Sequence, residues 1–227
     1  REQVTLTAYE FFSEKALQHV VSHGGGQHPF SVPGTYYALL EFDRTDDDVG
    51  ARALQAFEAC LEEGLATDGV ISENLRQYKD LWRFREGISE SITPHTPYKN
   101  DISVTVSQVP AFLRAVEDAV TRRYPDFEII WFGHIGDGNL HLNILRPADL
   151  PVDIFKQKCE EVSEEVLGIV ETFGGSISAE HGVGLLKRDQ LHFSRPEAEI
   201  ALMVGVKSVF DPNGIMNPGK LLPAPTN

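Results

Sequence analysis

The apolar positions of this chain alternate between two spacings, and each change of spacing marks an element. Residues 8–26, AYEFFSEKALQHVVSHGGG, carry apolar side chains at helical intervals and end on a glycine run, which predicts a helix with a C-terminal stop. YYALLEFD (36–43) reads as a strand, and residues 47–64 as an amphipathic helix closed by Gly64. DGVISE (68–73) is a short strand or an extended link. Residues 74–92, NLRQYKDLWRFREGISESI, predict one polar-faced helix. NDISVTVS (100–107) alternates as a strand does, and residues 109–125 predict a helix with Pro110 in its first turn and a stop before Pro125.

Residues 127–145, FEIIWFGHIGDGNLHLNIL, read as strand, tight turn, strand. A long helix follows over 153–175, with Phe155, Cys159, Val162, Val166, Ile169, Val170 and Phe173 recurring every three or four residues. SISAEHGVG (176–184) is a glycine-flanked link, residues 196–214 predict a last helix with a turn at Asp211–Gly214, and the tail 215–227 is irregular. The succession predicts an α+β fold, a mainly antiparallel sheet covered by helices, with ferredoxin-like βαβ elements and C-terminal helices. No G-x-x-x-x-G-K-[ST] occurs, and no strand is followed by G-x-G-x-x-G, so the sequence lacks a recognisable phosphate cradle.

The 227 residues, 41% hydrophobic, suffice for one large globular domain or two small ones. A net charge of -14 argues against nucleic acid and against a polybasic membrane patch. No apolar run is long enough to span a bilayer, and no signal peptide is visible. Cys60 and Cys159 are far apart in apolar helical patterns and read as buried free thiols, as suits a reducing compartment. The chain begins with Arg1, which suggests processing or a cut from something longer.

The chemistry gathers at FGHIGDGNLHLN (132–143). Asp-Gly favours a two-residue type I′ turn with positive φ at both positions. Gly136 would then pair with Asn139, Ile135 with Leu140, His134 with His141, and Phe132 with Asn143. Directly opposed Cβ atoms lie about 4.5–5.5 Å apart, close enough for two imidazoles to share one metal ion. The period of two puts Asn143 on the face of His141. The plainer alternative is a pair of buried histidines satisfied by backbone carbonyls. Glu180 and His181, adjacent in SAEHGVG, offer a third ligand, although they fit an exposed charged loop equally well. Two histidines and a glutamate leave coordination positions open, the layout of a catalytic site, and suit Zn²⁺, with Mn²⁺ or Co²⁺ as alternatives. Arg85 and Ser89, four apart on a helix, and Lys99, which shares a strand face with Asp101 two residues on, are candidate anion binders. Spacing alone favours a solvated charge for Arg85.

GHIGDGNLHLN, SAEHGVGLLKR and FDPNGIMNPGKLL, in this order, resemble the C-terminal part of FAD-linked oxidases. The resemblance is to the D-2-hydroxyglutarate and D-lactate dehydrogenases of the vanillyl-alcohol-oxidase-type superfamily, which also takes in the glycolate type. WRFREGISESI, YKNDISV and LTAYEFF extend it over essentially the whole chain. The resemblance implies that His134, His141 and Glu180 ligate a divalent metal, and that Asn143 and His181 lie beside the substrate hydroxyl. It implies that Arg85, Ser89 and Lys99 bind substrate carboxylates, Ser89 standing where these enzymes often have Thr. Asn217 in MNPGK matches a tail residue that returns to the flavin. His181 would act as general base, a role for which histidine's ordinary pKa is suited. FAD would be held mainly by an N-terminal domain absent here, so that residues 1–227 form the C-terminal domain of a D-2-hydroxyacid dehydrogenase. Its expected partners are a small 2-hydroxyacid, that flavin domain and an unidentified electron acceptor, with a homodimer left open. Its compartment would be the bacterial cytoplasm or, in a eukaryote, the mitochondrial matrix. The rival is a stand-alone domain that binds a metal or carboxylate without catalysis.

Overall fold

The computed structural model describes residues 4–44, 46 and 48–222. The first residue of the helix expected at 47–64 and the last five of the irregular tail lie outside the described residues. The chain forms two compact units, Arg1–Pro97 with Ile130–Gly136, and Tyr98–Ile129 with Asp137–Asn227.

In the first unit, strand β1 (Leu6–Ser13) leads into helix α1 (Glu14–Ser22), and strand β2 (Tyr36–Phe42) into α2 (Val49–Glu62). Helices α3 (Leu75–Glu86) and α4 (Ile88–Ile92) follow, and strand β4 (Glu128–His134) contributes its residues from Ile130 onward. β1 lies between β2 and β4 and is antiparallel to both, with Phe11 facing Ala38 on one side and Gly133 on the other. The helix expected from Ala8 is therefore corrected: residues 8–13 are strand. Phe11 and Phe12 are both buried, one on each side of the strand, and two adjacent buried aromatics mimic helical spacing when Ala16, Leu17 and Val20 follow. Ser13 makes the change of element. Its hydroxyl accepts from the N–H of Ala16 as the α1 N-cap and from the N–H of Trp131 on β4. The single helix expected over 74–92 is divided at Gly87, although Gly87 keeps right-handed dihedrals. Residues 68–73 form a link and not a strand.

In the second unit, β3 (Tyr98–Ser103) pairs antiparallel with β5 (Asn139–Leu145), and helices α5 (Val109–Arg123), α6 (Val152–Thr172) and α7 (Glu197–Phe210) form as the periodicity predicts. α5 buries Val109, Phe112, Leu113, Val116 and Val120, and α6 buries Phe155, Cys159, Val162, Val166 and Val170, two stripes at helical spacing that pack together. Burial pushes the Cys159 thiol up to about 12, whereas Cys60 is only half-buried, short of its expected burial; both are free thiols. The link after α6 is tied to β3 by an antiparallel bridge between Ser176 and Ser103. Gly175 makes this approach feasible, since a Cβ there would stand 2.3 Å from the Ser103 carbonyl oxygen. Every strand pairing described above is antiparallel, in keeping with the α+β expectation. No helix among the described residues is long and apolar enough to cross a membrane.

Candidate metal and substrate site

The turn between β4 and β5 spans four residues, Ile135–Gly138, and not two. Only Gly138 has positive φ, at 78°, so the type I′ geometry expected at Asp137–Gly138 is corrected. Asp137 serves the turn otherwise, its side chain accepting from the N–H of Asn139. Gly138 is required, since a Cβ there would meet the Val104 carbonyl oxygen at 2.0 Å.

On the β3–β5 pair the register sets Lys99 opposite Asn143 and Asp101 opposite His141. The period of two places all four side chains on one face. Asp101, 6% exposed, organises this face. Its Oδ2 accepts from the backbone N–H groups of Glu180 (3.0 Å) and His181 (3.1 Å), which hangs the whole Glu-His link on one carboxylate oxygen. Its Oδ1 is buried without a hydrogen-bond partner, 3.8 Å from His141 Nδ1. The other nitrogen of His141, Nε2, is 3.7 Å from Glu180 Oε1. His181 is largely exposed, with its ring 6.4 Å from that of His141 and its Nε2 3.5 Å from Glu180 Oε1. Lys187 donates from Nζ to the carbonyls of Asp101 and Ile177, and burial holds its ammonium below the ordinary lysine range. Asn143 is buried, its amide donating to the His141 carbonyl, and Lys99 is exposed.

On β1, Glu10 accepts from Arg85 Nε and Nη2 at Oε2, both at 2.9 Å, while its Oε1 lies 2.8 Å from His134 Nδ1. The Arg85 guanidinium lies over the Phe132 ring, 4.9 Å from its centroid. The solvated-charge reading of Arg85 is thereby corrected: its side chain is only 11% exposed and stands one carboxylate from His134. Ser89 is exposed on α4, beyond Gly87, and Asn217 is exposed in the tail with φ of 46°.

Within the second unit, His141 and Glu180 offer a pair of donors that could hold a metal ion. His134, the other expected ligand, belongs to the first unit. Tetrahedral ligands about 2.1 Å from an ion stand roughly 3.4 Å apart, so the 3.7 Å between His141 and Glu180 is already close to what a shared ion requires. An imidazole and a carboxylate, beside the buried oxygen of Asp101, are donors of a kind that suits a borderline divalent cation. Glu10 and Lys187 were not singled out in the sequence, and Asp101 was noted only beside Lys99. Their partners are too distant along the chain for any local pattern to show.

Residues 1–221 match the FAD linked oxidases, C-terminal domain, and the chain belongs to that family. It is 54% identical over 224 residues to the D-2-hydroxyglutarate dehydrogenase of Stutzerimonas stutzeri, covering 99% of this chain and 48% of that one. It is 48% identical over 230 residues to the D-2-hydroxyglutarate dehydrogenase of Xanthomonas citri pv. viticola, covering 100% and 48% of the two chains. Against the mitochondrial D-2-hydroxyglutarate dehydrogenase of Arabidopsis thaliana the identity is 34% over 229 residues, 96% of this chain and 38% of the relative. The chain thus spans about half the length, or less, of these relatives. A structure of 4-ethylphenol oxidase from Gulosibacter chungangensis, in complex with isoeugenol, superposes with a TM-score of 0.58 over 96% of this chain and 48% of that one. At 15% identity, that is a likeness of fold.

Proposed function

We propose that this chain is the substrate- and metal-binding half of an FAD-dependent D-2-hydroxyacid dehydrogenase, which oxidises the alcohol to a 2-oxoacid. The observation that carries the proposal is the pairing of His141 Nε2 with Glu180 Oε1, 3.7 Å apart, in a chain of this family. D-2-hydroxyglutarate is the first substrate to test, because the relatives carry that name, and D-lactate and glycolate are the alternatives. His134, His141 and Glu180 would hold the cation, Zn²⁺ first and Mn²⁺ or Co²⁺ next. When bound, the cation supplies Lewis-acid polarisation of the substrate hydroxyl, and FAD, held mainly by a separate N-terminal domain, supplies the two-electron sink for the α-hydrogen.

The residues of this chain bind, orient and move one proton. Asn143, buried on the face of His141, offers its amide to the substrate hydroxyl. His181, next in the chain to Glu180, accepts the hydroxyl proton at a ring nitrogen. Arg85 and Lys99 provide cationic donors for the carboxylates, with the Ser89 hydroxyl as a further donor. Asn217, in the tail, would help to hold the flavin. The enzyme would work in the cytoplasm of a bacterium or the mitochondrial matrix of a eukaryote, the latter suggested by the plant relative's name.

The test is a panel of D- and L-2-hydroxyacids offered to the protein together with its flavin half, read as bleaching of the flavin absorption. Bleaching by a D-2-hydroxyacid and not by its L-enantiomer is expected. A flavin that no member of the panel reduces would sink the proposal and favour a non-catalytic binding domain.

A further inference from the structure

We infer that Glu10 is a positioning residue: one buried carboxylate fixes both the tautomer of His134 and the fork of Arg85. The inference rests on the metal reading above for what the positioned ring then does. Glu10 lies in the buried part of β1 with 7% of its surface exposed. Its Oε1 meets His134 Nδ1 at 2.8 Å, and its Oε2 meets Arg85 Nε and Nη2 at 2.9 Å each. A carboxylate can only accept, so Nδ1 of His134 must donate. In the neutral ring this leaves the lone pair on Nε2, the state in which that nitrogen can ligate a metal. Guanidinium groups can only donate, so the second oxygen is committed to Arg85.

An amide cannot replace this carboxylate. In Glu10→Gln the side chain has one oxygen and one NH₂. With the oxygen turned to Arg85, the NH₂ faces His134 Nδ1, which must then accept, and the ring proton moves to Nε2. With the amide reversed, NH₂ donors point at the donors of the guanidinium. The first arrangement is preferred, because it alone satisfies the charged partner. The substitution is therefore nearly neutral in shape but reverses the tautomer of the proposed ligand.

Two measurements on the full chain test this. Long-range ¹⁵N–¹H correlation of the imidazoles, without metal and with His134 assigned by substitution, reads the tautomer directly. Competition with a chromophoric chelator gives the Zn²⁺ affinity. The unsubstituted chain should show an Nδ1–H ring at His134, and Glu10→Gln an Nε2–H ring with Zn²⁺ bound about ten- to a hundredfold more weakly. An Nε2–H ring in the unsubstituted chain, or a Glu10→Gln variant with the original tautomer and affinity, overturns the inference. If Glu10→Gln does not fold, the spectrum of the unsubstituted chain decides. An Nδ1–H ring in a chain that binds no Zn²⁺ supports the positioning role while sinking the metal reading, so the two failures are distinguishable.

Discussion

His141 stands directly opposite Asp101 in the β3–β5 register, with its Nδ1 3.8 Å from Asp101 Oδ1. The same carboxylate holds the N–H groups of Glu180 and His181 through its other oxygen. Asp101→Ala strips both of their acceptor. Hydrogen bonds to a charged group contribute roughly 1.5–3 kcal/mol each, so the unfolding free energy should fall by about 3 kcal/mol or more. Asp101→Asn retains one acceptor and should recover part of that stability. Both variants should bind Zn²⁺ more weakly, because the Glu180 link loses its anchor. Denaturant midpoints and chelator competition check this; unchanged values for Asp101→Ala would remove Asp101 from the site.

Direct removal of a proposed ligand is a sharper test. His134→Ala and Glu180→Ala should each lower the Zn²⁺ retained after dialysis, while a substitution at exposed Ser89 should not. Protons compete with metal for both imidazole and carboxylate, so retention should also fall toward acid pH. Zn²⁺ content in the two alanine variants equal to that of the unsubstituted chain would show that these residues do not serve an ion.

The long periodic runs were legible in the sequence because each offers many apolar positions that agree on one period: α5, α6 and α7 form where the spacing predicts them. The failures lie where two short elements share one apparent period. Phe11 and Phe12 end a strand and Ala16, Leu17 and Val20 belong to a helix, yet their spacing runs on without a break, and only Ser13 marks the join. Asp137–Gly138 carried a true turn signal, but tertiary contacts set the loop length, with Gly136 N–H bonded to Tyr9 and the Gly138 carbonyl to Val104. His134, His141 and Glu180 drew attention in the sequence as ligand-type residues beside glycine-rich turns. The parts played by Glu10 and Asp101 were not legible, since each is one acid in a strand whose meaning comes from partners 124 and 79 residues away.

Away from the site, Glu14 couples folding to pH. Burial raises its carboxyl, but hydrogen bonds with Tyr37, Gln18 and His28 outweigh that and hold it below the usual range. The Tyr37 hydroxyl is pushed up to about 12 by its own burial and by Glu14. A carboxyl depressed in the folded state contributes stability above its unfolded value, about 4.3, and that contribution is lost as pH falls through the folded value. Glu14→Gln should therefore melt below the unsubstituted chain at neutral pH, with the gap closing below about pH 4. Paired thermal melts from neutral to acid pH check this, and a gap independent of pH would show that Glu14 contributes by shape alone.

Arg85 is held for its geometry as much as for its charge. Nε and Nη2 converge on Glu10 Oε2, and the guanidinium carbon sits over the Phe132 ring, 4.9 Å from its centroid. Lysine can supply the charge but neither the planar fork nor the stacking. Arg85→Lys should thus behave much like Arg85→Ala toward a 2-hydroxyacid. Loss of one charge-assisted hydrogen bond, roughly 1.5–3 kcal/mol, corresponds to about a ten- to hundredfold weaker Kd. Lys99→Ala, on the face of His141, should show a comparable loss, whereas Lys99→Arg keeps the charge at an exposed position and should largely rescue binding. Titration of D-2-hydroxyglutarate into the Zn²⁺-loaded chain, followed by chemical-shift perturbation, measures all four variants. If Arg85→Lys binds as tightly as the unsubstituted chain, Arg85 serves only to neutralise Glu10, and the carboxylate anchor must be sought on the β3–β5 face alone.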